Sequence, residues 1–303
     1  MKPLLVLVLL LCAACGDDTG GQMGHPATCS GLTRPPEEVA WMLDFGGMQR
    51  SYNVHVPPAY DPTRPSPVVL NFHGLSEPPD TQALFSGMST KANTAGYLVV
   101  YPAGTGNPIS WNAGTCCASA AQAHVDDVGF VRALLDALSS KLCIDSHRVF
   151  ATGMSNGGML THRLACELSD RIAAFAPVAG DLVSSPCNPA RAVPILHFHG
   201  TADTYVPYTG SPSIGFPPVP DMMAAWAARD GCAATAQDSF SNGDTHCQSW
   251  PGCSAGAEVV LCTVEGGGHT WPGGLDVPTL GKTTTDINAD DKMWEFFQKH
   301  VLP

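Results

Sequence analysis

The chain has 303 residues, 44% of them hydrophobic and 14% charged, a balance that can bury a large core and is too apolar for general disorder. Its formal net charge is -12 with only 15 Lys plus Arg, which leaves no basic stripe for a phosphate backbone and excludes nucleic acid as a partner. No Ser/Gly/Pro-rich linker interrupts the middle, and one folded domain of this length is common, so a single domain is expected.

Lys2 precedes the apolar run Leu4 to Leu11 and then small residues around Cys12-Ala13-Ala14-Cys15-Gly16, the layout of an export signal. The run is too short to cross a bilayer, which needs about 20 residues. Cut before Cys15, it is a bacterial lipoprotein signal that leaves a lipid on that thiol, although Cys12 stands where such signals usually have Leu. A soluble secreted protein cut nearby is the alternative. Both place the protein outside the cytoplasm, and membrane contact comes only through a lipid on Cys15. Residues 1–15 are therefore assigned to the signal, 16–40 to a flexible tether and 41–303 to the folded domain, expected as a monomer.

Ser51 to Pro57 alternates polar and apolar residues, as a half-exposed strand does. Short apolar runs follow at Val68 to Phe72, Tyr97 to Tyr101, Val149 to Thr152, Ala173 to Val178 and Val193 to Phe198, with a last one at Glu258 to Val264. Such runs suit strands buried on both faces. Helical spacing is clearest at Val128 to Leu142 and Gly158 to Leu168, and a final helix is expected at Asp290 to His300. Alternating strands and helices predict a mostly parallel central sheet flanked by helices on both faces, with functional loops at the strand C-terminal ends.

Beyond Cys12 and Cys15, ten cysteines remain, an even number with no C-x-x-C pair, which favours disulfides in an oxidising compartment over a zinc ribbon. Pairing of Cys232 with Cys253, and of Cys247 with Cys262 across a hairpin, is expected. The neighbours Cys116 and Cys117 are expected to go to different partners, because a ring between adjacent residues is strained.

Gly153-Met154-Ser155-Asn156-Gly157 matches the G-x-S-x-G elbow, and so does Gly252-Cys253-Ser254-Ala255-Gly256. Only the first lies between a predicted strand and a predicted helix, the context that exposes a serine hydroxyl near helix N-terminal amides. A serine nucleophile needs an imidazole base and a carboxylate that fixes its tautomer. With the chain order Ser, acid, His, the base is assigned to His269, on a glycine-rich loop after the last predicted strand. The acid is assigned to Asp203 after Val193 to Gly200, with Asp181 as main rival and Asp221 a weaker one; Asp126 and Asp127 open a helix and suit capping. The oxyanion donors are assigned to the backbone N–H groups of Asn156 and Leu75, and His73 to a structural role at its strand end.

Taken together, Ser110-Trp111-Asn112-Ala113-Gly114-Thr115-Cys116-Cys117, Val125-Asp126-Asp127-Val128-Gly129-Phe130, the Ser155 elbow, His199-Gly200-Thr201-Ala202-Asp203 and Gly266-Gly267-Gly268-His269-Thr270-Trp271-Pro272-Gly273 resemble the polyhydroxybutyrate depolymerase-like and feruloyl esterases of carbohydrate esterase family 1. The resemblance runs from about Ser51 to the C-terminus. It implies a disulfide-stapled α/β-hydrolase fold, a Ser155, Asp203 and His269 triad, and no cofactor. The Cys-rich hairpin around Cys247 to Cys262 departs from the family, and the chain leaves no segment for a separate polymer-binding module. Feruloyl, aryl or short-chain esters of plant polysaccharide are therefore the expected substrates, with polyester the alternative. Trp111, Tyr205, Tyr208 and Trp271 fall on predicted active-face loops and are candidate substrate walls. His197, His199 and Asp203 also crowd one strand end, but H-x-H-x-x-x-D misses the familiar dimetal spacing, so no metal is expected. A non-catalytic surface lipoprotein that keeps the fold as a binding module is the reading of another class.

Overall fold

The computed structural model describes residues 29–303; the expected signal, Cys15 and the first part of the tether lie outside the described residues. The chain enters through an antiparallel hairpin, β1 (Glu38–Phe45) and β2 (Met48–His55). The apolar runs become β3 (Ser66–Phe72), β4 (Leu98–Pro102), β5 (Ile144–Met154), β6 (Ala174–Val178) and β7 (Ile195–Gly200). A second hairpin, β8 (Gln237–Asn242) and β9 (Thr245–Trp250), precedes β10 (Val259–Val264). One sheet holds all of these in the order β1-β2-β4-β3-β5-β6-β7-β10-β9-β8. Its centre, from β4 to β10, is parallel, and antiparallel pairs close both edges.

Neighbouring positions on a strand point to opposite faces, which divides the core in two. Val68, Leu70 and Phe72 point to one face and join residues of α4 (Asp127–Lys141), α5 (Asn156–Glu167) and α6 (Val219–Arg229). Val69 points the other way, with Val99, Phe150 and Phe198, toward α1 (Pro79–Ser86), α2 (Met88–Ala95) and α7 (Ala289–Phe297). A short helix, α3 (Ala118–Gln122), follows the Cys116-Cys117 loop. The α/β-hydrolase arrangement expected from the sequence, helices on both faces of a mostly parallel sheet, is what forms. Asp126 caps α4, its carboxylate accepting from the Gly129 N–H at 2.8 Å. Asp127 instead meets the buried guanidinium of Arg50 at 2.8 Å.

Two expectations need correction. The tether does not extend to residue 40: Cys29 is disulfide-bonded to Cys143, Arg34 donates to the carbonyls of Val56, Pro57 and Tyr60, and Glu38 already belongs to β1. The polar stretch 29–37 is held by side-chain and disulfide bonds that hydrophobic periodicity does not report. Cys116 and Cys117 do not take different partners, as the strain of a ring between neighbours suggested, but pair with each other; the peptide between them is cis and their Cα atoms lie 3.0 Å apart. Cys166 pairs with Cys187, and Cys232 with Cys253 as expected. Cys247 and Cys262 also pair as expected, sitting directly opposite each other in the β9 and β10 register.

Candidate active site

The C-terminal ends of β3, β5, β7 and β10 bring Leu75, Ser155, Asp203 and His269 to one edge of the sheet. Ser155 sits between β5 and α5 with φ 56° and ψ -121°, a conformation that costs an L residue about 1–3 kcal/mol. Two bonds hold it there: its N–H donates to Val178 and its carbonyl accepts from Met159, each at 2.9 Å. The turn is tight enough that a Cβ on Gly157 would collide with the carbonyl oxygens of Phe72 and His73. The other G-x-S-x-G segment folds differently. Cys253 is tied to Cys232, Ser254–Gly256 forms a single 3-10 turn, and β10 follows.

His269 and Asp203 meet although 66 residues separate them, with His269 Nδ1 2.7 Å from Asp203 Oδ2. The His269 loop is pinned by its own N–H to the Leu280 carbonyl at 2.7 Å and by the Gly268 N–H to Lys282 at 2.9 Å. It passes so close to β7 that a side chain on Gly200 would strike the Gly267 carbonyl, which explains glycine at that strand end. Asp203 Oδ1 accepts from the N–H groups of Tyr205 at 2.8 Å and Val206 at 2.9 Å. Burial opposes ionisation of Asp203, but hydrogen bonds from His199 and His269 outweigh it and hold the carboxyl well below the usual range. Asp181, the rival acid, is fully buried, and neither of its oxygens has a hydrogen-bond partner among the described residues. Burial raises Asp181 to about 7. Asp221 lies in the first turn of α6.

A cavity of about 790 Å³ opens over Ser155 and His269, and Leu75, Asn156, Tyr205 and Val206 border it. Among the described residues, the N–H groups of Leu75 and Asn156 donate to no protein acceptor, so both remain available to an oxygen in the cavity. The Leu75 loop is preorganised from beneath. His73 Nδ1 donates to the Gly74 carbonyl at 2.7 Å and its Nε2 accepts from Gly104 at 2.9 Å, while burial lowers its pKa to about 4 and keeps it neutral. Glu77 also accepts from the Gly74 N–H at 3.2 Å. Sequence reasoning does not reach Glu77, because a loop carboxylate after a strand carries no distinguishing pattern.

Of the candidate walls, Tyr205 borders the cavity, its ring 5.1 Å from that of His269. Trp111 and Trp271 do not, which corrects the expectation for both: each is fully buried. Trp111 donates its indole N–H to the His73 carbonyl at 3.0 Å, and its backbone is clamped by the Asn156 side chain at 2.7 and 3.1 Å. Trp271 donates to Asp290 at 3.0 Å. A buried indole needs an acceptor for its N–H, and both loops supply one inside the fold. Tyr208 is half-buried and bonded to Thr263. The cavity is also lined by Met159, Phe216 and the Cys116–Cys117 disulfide, the last signalled in the sequence only by adjacent cysteines. Among the described residues, no group of three or more His, Cys, Asp or Glu side chains is placed to hold a metal.

Residues 60–212 match the family described as Phospholipase/Carboxylesterase. The chain belongs to that family. It is 31% identical over 269 residues to feruloyl esterase B of Piromyces equi, a match that covers 84% of this chain and 46% of that protein. The chain thus spans less than half the length of that relative. It is 33% identical over 276 residues to NocK of Nocardia uniformis subsp. tsuyamanensis, covering 82% of this chain and 79% of the relative. The acetyl xylan esterase from Aspergillus awamori shares the fold, with a TM-score of 0.63 over 86% of this chain and 99% of that one at 18% identity.

Proposed function

We propose that this protein is a serine carboxylic ester hydrolase that acts through an acyl-enzyme on feruloyl, aryl or short-chain esters of plant polysaccharide. The observation that carries the proposal is the His269 imidazole, held at 2.7 Å by an ionised Asp203 and facing the same cavity as the elbow serine. With Nδ1–H committed to Asp203, Nε2 is left as the base. As the Ser155 oxygen bonds to the ester carbonyl carbon, its proton passes to His269 Nε2, and the oxyanion accepts from the N–H groups of Leu75 and Asn156. Collapse breaks the ester C–O bond, and the alcohol leaves with the proton from His269. A water molecule then repeats the sequence on the acyl-enzyme, giving up its proton to His269 and releasing the acid and Ser155. The substrate class is supported by the relatives' names, feruloyl esterase and acetyl xylan esterase, and by a cavity of about 790 Å³, lined in part by Tyr205 and Phe216, whose volume can hold an aromatic acyl group. Export to an oxidising compartment is supported by the five disulfides among the described residues, and the lipid anchor at Cys15 is the finer part of the same proposal.

The test compares methyl ferulate, acetylated xylan, nitrophenyl acetate and polyhydroxybutyrate oligomers as substrates of the purified protein, alongside fluorophosphonate labelling. Labelling that vanishes in Ser155→Ala, with ferulate or acetate turned over fastest, is the expected result. A wild-type protein that neither labels nor hydrolyses refutes the reading, and fastest attack on the polyester oligomers replaces its substrate class.

A further inference from the structure

Behind Asp203 lies a group of buried histidines that the proposed reaction does not use. His162 and His197 are fully buried and His199 almost so. They form a continuous chain. The Trp226 indole N–H lies 3.1 Å from His162 Nδ1, His162 Nε2 lies 3.3 Å from His197 Nδ1, and His197 Nε2 lies 3.0 Å from His199 Nδ1. His199 Nε2 ends the chain 2.8 Å from the Val206 carbonyl and 3.5 Å from Asp203 Oδ2.

The direction of this chain follows from donor chemistry alone. An indole N–H can only donate, a carbonyl or carboxylate oxygen can only accept, and a neutral imidazole donates from one nitrogen and accepts at the other. His162 must therefore accept at Nδ1 and donate from Nε2, and each following ring must do the same. No ring can reverse without placing two donors, or two acceptors, face to face. A charged ring is disfavoured as well: burial lowers His162 to about 3, and His197 also falls well below the ordinary histidine range.

We propose that His162, His197 and His199 are positioning residues, a one-way hydrogen-bonded relay started by Trp226 that aims the His199 N–H at the turn holding Asp203. The inference rests on the assignment of Asp203 as the acid that orients His269. The end of the relay explains why it matters to the site. Val206, whose carbonyl accepts from His199, donates its own N–H to Asp203 Oδ1, and the same turn carries Tyr205 against the His269 ring. One N–H of His199 thus fixes both the carboxylate and a wall of the cavity. H-x-H on a strand places both rings on one face, which is why Phe198 between them goes to the opposite core.

The experiment needs only the whole protein. Long-range proton–nitrogen spectra of protein labelled with 15N-histidine should show three neutral rings of the Nε2–H tautomer at neutral pH. Any of the three in the Nδ1–H form, or charged, overturns the proposal, and this readout needs no variant to fold. Kinetics test the consequence. Normalised to sites titrated with a fluorophosphonate, His199→Phe should lose about tenfold in kcat, the worth of one buried hydrogen bond, with little change in KM. Trp226→Phe should lose less and give mixed tautomers, and His199→Gln, which keeps a donor, should recover most of the loss. Variants that unfold more readily but keep kcat per titrated site would show the relay to be packing only. Hydrolysis that survives Ser155→Ala would refute the triad instead, a result separate from the tautomer spectrum.

Discussion

Asp181 offers the clearest prediction about stability. Its carboxyl is fully buried, has no hydrogen-bond partner among the described residues, and is raised by burial from 3.8 to about 7. The unfolded chain releases this proton near pH 4, while the folded protein keeps it until about pH 7. Between these values the folded state binds more protons, so stability falls as pH rises and levels off above pH 7. Each pKa unit is worth 1.36 kcal/mol, so a shift of about three units amounts to about 4 kcal/mol. Asp181→Asn removes the titration while keeping the shape. The variant should therefore gain about 4 kcal/mol relative to wild type on going from pH 4 to pH 8, whatever fixed cost the buried amide adds at both. Buried Asp230 and Asp290, raised to about 6 and about 7, give similar slopes in both proteins and cancel in the difference. Denaturant unfolding with the disulfides intact, at four or five pH values, measures it. Parallel stability curves for variant and wild type across pH 4 to 8 would refute the argument.

Gly157→Ala forces a methyl group against the Phe72 and His73 carbonyls; overpacking against backbone should cost about 3 kcal/mol, read as a lower melting temperature together with lost fluorophosphonate labelling. Trp111→Phe removes the bond from the indole to His73 and leaves that carbonyl unpaired, so a loss of about 1–3 kcal/mol is expected, with a fall in kcat because the Leu75 loop loosens. Unchanged kcat would show that this bond does not order the loop. Cys232→Ser with Cys253→Ser opens a loop of 21 residues, and the chain-entropy estimate gives a loss of about 3 kcal/mol. Unfolding in parallel with wild type checks it.

Several features were legible in the sequence because local rules govern them. Strands covered on both faces read as unbroken apolar runs, so β3 through β7 and β10 could be placed, although β5 begins five residues before its apolar run because its first turn of chain is polar. The Ser155 elbow was separable from Ser254 because strand, tight turn and helix are consecutive in the chain. The edge strands were harder to read. β8 is exposed at almost every position and β1 alternates only between exposed and half-buried, so neither carries the apolar signature of the central strands; α6, opening on Val219-Pro220, has no polar N-cap to announce it.

The sequence by itself determined the fold class, the elbow and the order in which a serine, an acid and a histidine follow one another, because apolar periodicity and turn chemistry act over a few residues. Tertiary structure alone decided which acid His269 meets. Asp181 and Asp203 both follow strands of the same sheet, and only the packing of the 266–282 loop against β7 puts His269 on Asp203. Packing likewise sent Trp111 and Trp271 inward and left Tyr205 at the cavity, since an aromatic side chain on a loop carries no sequence mark of which way it turns. The histidine relay is the extreme case: its members come from α5 and β7, and their donor directions exist only once Trp226 of α6 closes one end and Val206 the other.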